Sequence, residues 1–221
     1  MAYRTARQKP GRSRSLSARL FLFRHGRAAP PGLLIGQADV PLSVEGEAQA
    51  RFWRDALAGL AFSAAWSSPL ARARRTAMVI LSGNQANTRN LTVVPDFREV
   101  SLGRWEGRDT AWIKQHYARE WEARGKNPTG IAPPGGESFN ALAERVLPAF
   151  SSLCREASRH EFSLLAAHQA VNRVILSHAL GVPLARMQEI PQDSAALTVL
   201  AVTEQGAKVL ERYNSEGKAL F

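Results

Sequence analysis

Leu20-Phe21-Leu22-Phe23-Arg24-His25-Gly26 is the stretch that indicates the fold of this chain. Four consecutive apolar residues without alternation are typical of a strand buried on both faces of a sheet. The polar residues that follow place a guanidinium and an imidazole where that strand ends. An imidazole can act as a nucleophile, and the planar donor fork of a guanidinium matches the oxygens of a phosphoryl group. This turn is therefore the first candidate for a functional site.

Strands and helices alternate along the rest of the chain. The predicted strands cover residues 20–24, 64–67, 91–94, 162–167, 196–202 and 208–213. The predicted helices cover residues 43–57, 68–81, 110–124, 138–158 and 170–180. Ser68-Pro69 is expected to provide a cap and a first helical residue. Such alternation predicts an α/β fold with a mainly parallel sheet and helices on both faces.

The positive charge of the chain is concentrated near its beginning. The formal net charge is +10, but residues 1–27 hold eight Lys or Arg and no acid, which leaves 21 basic and 19 acidic residues in the rest. Segment 1–18 is interpreted as a flexible basic extension or as an arm that contacts a polyanion. Residues 19–221 are predicted to form a single domain that is nearly neutral. Nucleic acid is therefore not the partner we expect.

Several classes of site and location are not indicated by the sequence. The apolar run that ends at Phe23 is too short for a signal peptide, and no stretch approaches a membrane span, so we expect a cytoplasmic protein. The single Cys154 allows no internal disulfide and is expected to pack in the core. Because the His and Cys spacing does not suggest a zinc site and no Gly-rich nucleotide loop is present, we expect neither a metal nor a cofactor.

Polar residues recur at the carboxyl ends of the predicted strands. His25 follows the first strand, Arg72 lies in the first turn of the helix after the second, and His168 follows the strand at 162–167. Ligands of open α/β sheets bind at this edge, where residues distant in sequence can converge. The spacing predicts one edge for the three side chains, while their convergence is a hypothesis.

Six sequence blocks in order resemble the histidine phosphatase superfamily, the phosphoglycerate mutase-like proteins, over about residues 20–203. The blocks are Arg24-His25-Gly26, residues 36–43, Ser67 to Ala73 with Thr76-Ala77, Glu99 ahead of residues 103–107, Pro134 to Ser138, and Ala167-His168. The resemblance is closest to the phosphatase branch that includes α-ribazole phosphatases. It implies a three-layer α/β/α sandwich with a small helical cap insertion, which we place at about residues 109–134.

The resemblance and the demands of phosphoryl transfer together assign catalytic roles. His25 would attack phosphorus, and Arg24, Arg72 and His168 would clamp the phosphoryl oxygens. Glu99 would protonate the departing oxygen and later activate water, which requires a carboxyl group with a raised pKa.

Other positions are alternatives or additions to this set. Glu106 and Asp109 lie near Glu99 and compete with it for the acid role. Gln37 and Gln169 are candidate substrate contacts, although the amide of Gln169 could point into the pocket or out of it.

The predicted function is metal-independent hydrolysis of a small phosphorylated metabolite through a phosphohistidine on His25. One alternative is a phosphoglycerate-type mutase. Family mutases carry a charged insertion after the acid residue, whereas Val100-Ser101-Leu102 leads here straight to Gly103. The other alternative is a noncatalytic module that binds phosphate groups or polyanions. A homodimer is compatible with the sequence, which does not fix the oligomeric state.

Overall fold

The computed structural model describes residues 18–83 and 91–213, and these residues form one central sheet with helices on both faces. The strands are β1 (Arg19–Arg24), β2 (Ala64–Ser67), β3 (Leu91–Val93), β4 (Phe162–Ala167), β5 (Leu197–Thr203) and β6 (Gly206–Tyr213). The helices are α1 (Val44–Ala56), α2 (Ala71–Leu81), α3 (Thr110–His116), α4 (Ala118–Lys126), α5 (Phe139–Ala157) and α6 (Gln169–Leu180). The predicted α/β class is confirmed.

The sheet is parallel in its first four strands and antiparallel at one edge. The strand order is β3-β2-β4-β1-β5-β6. Strands β3, β2, β4 and β1 run parallel, while β5 pairs antiparallel with both β1 and β6. The sheet is thus mixed, with the mainly parallel character that the alternation predicts.

The apolar run of β1 divides its side chains between two cores. Leu20 and Leu22 pack with α5 and α6 on one face, whereas Phe21 and Phe23 pack with α1 and α2 on the other. Because successive side chains of a strand point to opposite faces, a continuous apolar run fits a strand that is covered on both sides. The three-layer sandwich follows directly from this run.

The start of α2 differs from the sequence prediction. The helix begins at Ala71 with Leu70 at its cap position, not at Ser68. The fully buried Ser68 uses its hydroxyl oxygen to accept the Leu70 N–H and to contact Nε2 of His168. A serine that bonds two residues ahead forms a turn, so this tertiary contact replaces the expected cap.

The predicted helix at 110–124 is two helices in the structure. Tyr117 separates α3 from α4 with φ of −135° and ψ of 40°, outside the helical region. Both helices fall within the segment that we expected to form the cap. The predicted extension lies outside the described residues except for Ala18, which is buried and accepts the backbone N–H of Val202.

Candidate active site

The carboxyl ends of β1 and β4 lie side by side and place two histidines together. Arg24 is in register with Ala167, so His25 and His168 leave their strands at the same level. The backbone N–H of His25 donates to the carbonyl of Ala167, and the two imidazole rings lie 5.1 Å apart at 61°. The convergence that the sequence left as a hypothesis is present in the structure.

A pocket of about 390 Å³ opens over this edge. Its chemically active lining consists of Arg24, His25, Arg72, Glu99 and Gln169, and most of the remaining wall comes from the loop after β1. The pocket therefore combines one imidazole, one carboxyl group and the guanidinium groups of Arg24, Arg72 and the exposed Arg27, a set suited to an anion whose charge changes during a reaction.

One ring nitrogen of His25 carries a lone pair and no hydrogen. Nε of Arg72, which can only donate, points at Nε2 of His25 at 3.3 Å, so Nε2 is the unprotonated nitrogen. Nδ1 then carries the hydrogen and donates to the carbonyl of Gly26 at 2.7 Å. Burial and the charges of Arg72 and Arg24 hold the pKa of His25 well below its usual value. The ring is neutral, with its lone pair at Nε2.

Arg72 is held in place by carbonyl oxygens of the loop at residues 36–38. Its Nη2 donates to Gly36 at 2.6 Å and its Nη1 to Ala38 at 2.8 Å. This loop is in turn fixed by Glu106, whose carboxylate accepts the N–H groups of Gly36, Gln37 and Ala38 at 2.7, 3.2 and 3.0 Å. Glu106 thus positions the loop that positions the guanidinium.

Arg24 and His168 each keep a buried donor without a partner among the described residues. One end of the Arg24 guanidinium donates to the carbonyl of Gln192, while its Nε is buried and unpaired. The hydroxyl of Ser68 lies 2.7 Å from Nε2 of His168. Within the described residues the Ser68 hydroxyl has no other acceptor for its hydrogen, so it donates to Nε2 of His168. Nδ1 of His168 then carries the ring hydrogen, and this N–H has no partner among the same residues. Such orphaned donors suit an incoming anion.

Glu99 is a buried carboxyl group beside these cations. Its two oxygens accept the backbone N–H groups of Val100 at 2.8 Å and Ala170 at 3.2 Å. Burial raises the pKa of Glu99, against the lowering effect of those hydrogen bonds and of the charges of Arg72 and Arg24. A raised pKa is what the acid role requires.

The segment that carries Glu99 is held by a partly buried ion pair. Arg145 pairs with Glu137 through Nε at 2.8 Å and Nη2 at 2.9 Å. The same guanidinium donates to three backbone carbonyls at residues 96, 98 and 99, and Glu137 also accepts the N–H of Ser101. Arg145 was not predicted from the sequence, because an arginine inside a helix gives no signal of its contacts.

The two predicted glutamine contacts differ in their placement. Gln169 lines the pocket, with its side-chain N–H group 3.3 Å from the carbonyl of Gln192. Gln37 uses its side-chain N–H group on the backbone carbonyl of Glu99 at 3.0 Å, which binds the loop at residues 36–38 to the Glu99 segment. Its assignment as a substrate contact stays a prediction.

The described residues offer neither a metal cluster nor a membrane-spanning helix. Within residues 18–83 and 91–213, no cluster of three or more His, Cys, Asp or Glu side chains could hold a metal ion. In the same ranges, no helix is long and apolar enough to cross a membrane.

Comparison with known proteins bears out the resemblance noted from the motifs. An adenosylcobalamin/alpha-ribazole phosphatase of Escherichia coli (strain K12) is 29% identical over 191 residues, covering 86% of this chain and 92% of the relative. A protein named as a probable phosphoglycerate mutase of Salmonella choleraesuis (strain SC-B67) is 31% identical over 167 residues, covering 74% and 75% respectively. The alpha-ribazole phosphatase structure from Shigella flexneri superposes with a TM-score of 0.79 at 27% identity, over 87% of this chain and 94% of that one. The family model matches residues 20–216, and the chain belongs to the histidine phosphatase superfamily (branch 1).

Proposed function

We propose that this protein is a metal-independent phosphomonoesterase that hydrolyses a small phosphorylated metabolite through a phosphohistidine on His25. The observation that carries the proposal is the pairing of a neutral His25, whose free lone pair lies at Nε2, with a buried Glu99 whose pKa is raised. The two groups line one pocket together with the guanidinium groups of Arg24 and Arg72.

The first step forms a nitrogen–phosphorus bond. A phosphoryl oxygen of the substrate replaces Nε2 of His25 as the acceptor of the hydrogen bond from Nε of Arg72. This change of acceptor releases the lone pair at Nε2 of His25. That lone pair attacks phosphorus as the ester oxygen leaves with the bonding electrons and takes the proton of Glu99. The guanidinium groups of Arg24 and Arg72 and the Nδ1–H of His168 stabilise the negative charge on the transferring oxygens.

The second step returns the enzyme to its starting state. The Glu99 carboxylate accepts a proton from water, whose oxygen attacks phosphorus as the nitrogen–phosphorus bond breaks. The products are inorganic phosphate, His25 with its lone pair restored and a protonated Glu99.

Two phosphatases among the similar proteins support hydrolysis. The homodimer and the cytoplasmic location stay predictions.

The test is hydrolysis of an aryl phosphate in the presence of EDTA by the wild type, His25→Ala and a control, His116→Ala. His116 is exposed and stacks on Trp112 in the cap. We expect full activity in the control, none in His25→Ala, and an acid-labile phosphorylated wild type after rapid quenching. Activity retained in His25→Ala would refute the nucleophile. Exchange of phosphoryl groups between phosphoglycerates in place of hydrolysis would favour the mutase, and phosphate binding without either reaction would favour a noncatalytic module.

A further inference from the structure

A second cavity of about 260 Å³ adjoins the catalytic pocket, under the cap helix α4. The two share Glu99, Gln169 and the pair Leu34-Ile35 in their walls. Since the leaving oxygen must contact Glu99 and the phosphoryl group must contact His25, the rest of the substrate can extend from Glu99 into this second cavity.

The walls of the second cavity are mainly apolar and aromatic. Trp121 comes from α4, and Phe139 and Met187 come from α5 and from the 3-10 helix at Leu184–Glu189. Trp105 packs against Trp121 with ring centroids 5.5 Å apart. Sugar or polyol hydroxyls would lose their hydrogen bonds to water against such walls, whereas an apolar ring would gain from burial.

Two arginines make the cavity better suited to an aromatic ring than to an aliphatic group. Arg124 and Arg173 both line it, and the guanidinium of Arg124 lies 4.7 Å from the ring centroid of Phe139. Guanidinium groups favour the faces of aromatic rings, and the sulfur of Met187 favours their edges. Because a cavity of roughly 150 Å³ can hold a benzene ring, the larger volume here has room for one ring or two fused rings.

We propose that this cavity is the subsite for an aromatic leaving group, with Trp121 as its principal contact. The inference rests on the proposed function and specifies its substrate class: phosphate esters of alcohols that carry a ring a short distance from the ester oxygen. The cavity continues outward along Trp121, Arg124 and Gln188 into a third space of about 230 Å³, so a longer leaving group would extend toward solvent.

The test compares kcat/KM for 2-phenylethyl phosphate and propyl phosphate. Both are primary alkyl esters, so their ratio reports binding of the ring and not the acidity of the alcohol. In the wild type we expect a ratio of about ten or more, the size of effect that aromatic stacking and burial give. Trp121→Ala should bring the ratio close to one through a loss of kcat/KM for the phenylethyl ester, and Trp121→Phe should retain most of the preference.

Two further variants distinguish the outcomes. Trp112→Ala is the matched control, since Trp112 stacks on His116 in the same cap and lines neither cavity. Leu33→Ala probes an apolar residue that lines the catalytic pocket but not the second cavity. Two results would overturn the subsite and leave the proposed function intact. In the first, both esters are hydrolysed in a reaction that depends on His25, but without a preference for the phenyl ester. In the second, Leu33→Ala removes the preference and Trp121→Ala does not. Failure to hydrolyse either ester would count against both.

Discussion

Replacement of Glu106 by glutamine should impair the phosphate clamp without touching a residue that contacts substrate. The carboxylate of Glu106 accepts three backbone N–H groups, two at Oε1 and one at Oε2, from the loop whose carbonyls hold Arg72. Glutamine keeps one acceptor oxygen, and its NH2 group would face a backbone N–H that it cannot accept. The loop should then shift or loosen, and Arg72 with it.

The expected size of the effect follows from those three contacts. Hydrogen bonds to a charged group contribute about 1.5–3 kcal/mol and neutral ones about 0.5–1.5 kcal/mol. Two contacts that become neutral and one that is lost therefore weaken the loop by about 3.5–6 kcal/mol. Only part of this reaches Arg72, which α2 also holds, so we expect kcat/KM to fall about ten- to hundredfold, as for a misplaced transition-state donor.

The assay measures kcat/KM for an aryl phosphate and the competitive inhibition constant of inorganic phosphate. Both should worsen in Glu106→Gln, because the proposed clamp uses Arg72 on the phosphate of substrate, transition state and product. Glu122→Gln is the matched control, since Glu122 pairs with the exposed Lys126 on the surface of α4. A folded Glu106→Gln protein with unchanged kcat/KM and unchanged phosphate inhibition would refute the positioning argument.

Four further predictions concern buried hydrogen bonds and the protonation of buried groups. Ser68→Ala should lower kcat/KM on the order of tenfold, since it removes the donor that fixes the His168 tautomer; steady-state kinetics with a melting curve would check this. Activity should fall in acid, as His25 gains a proton below its lowered pKa. It should also fall in alkali, as Glu99 loses its proton above its raised pKa. The pH profile of Glu99→Gln should therefore lack the alkaline decrease. Stability should fall as the pH drops below about 6.5, because both histidines are buried neutral and protonate more readily when unfolded; melting curves at several pH values would show a flatter dependence in His168→Gln. Burial raises the pKa of Cys154 to about 11, so iodoacetamide at pH 8 should label the unfolded protein and spare the folded one.

The main candidate site positions could be predicted because each follows a pattern that the backbone enforces. The apolar run before Arg24 and His25 has to end at the edge of the sheet, and so does the run before His168. Their contact requires only that β1 and β4 be neighbours, which the pairing of Arg24 with Ala167 establishes. The side chains of these residues act from fixed points of the sheet, so sequence position determines much of their geometry.

The supporting residues could not be predicted, because their partners are backbone atoms of distant loops. Glu106 recognises three N–H groups about 70 residues earlier in the chain, and Arg145 recognises carbonyls about 46 to 49 residues earlier. Neither contact leaves a sequence pattern, since any loop residue presents the same groups. Ser68 shows the related error: its local sequence favours a helix cap, but the buried His168 nitrogen competes for the same hydroxyl.

The same burial shifts the pKa values of two groups that line one pocket in opposite directions. Removal from water disfavours the charged form of each, so it lowers the pKa of His25 and raises that of Glu99. The cations that would bind the phosphate then act unequally. Arg72 and Arg24 push the pKa of His25 further down, which helps a nucleophile that must be unprotonated, but they also favour the charged form of Glu99. Burial outweighs these charges at Glu99. Greater access of water to the cavity would therefore lower the pKa of Glu99 and remove the general acid before it affected the nucleophile. The apolar walls around Glu99 therefore belong to the chemistry, and opening them by mutation should narrow the alkaline side of the pH profile first.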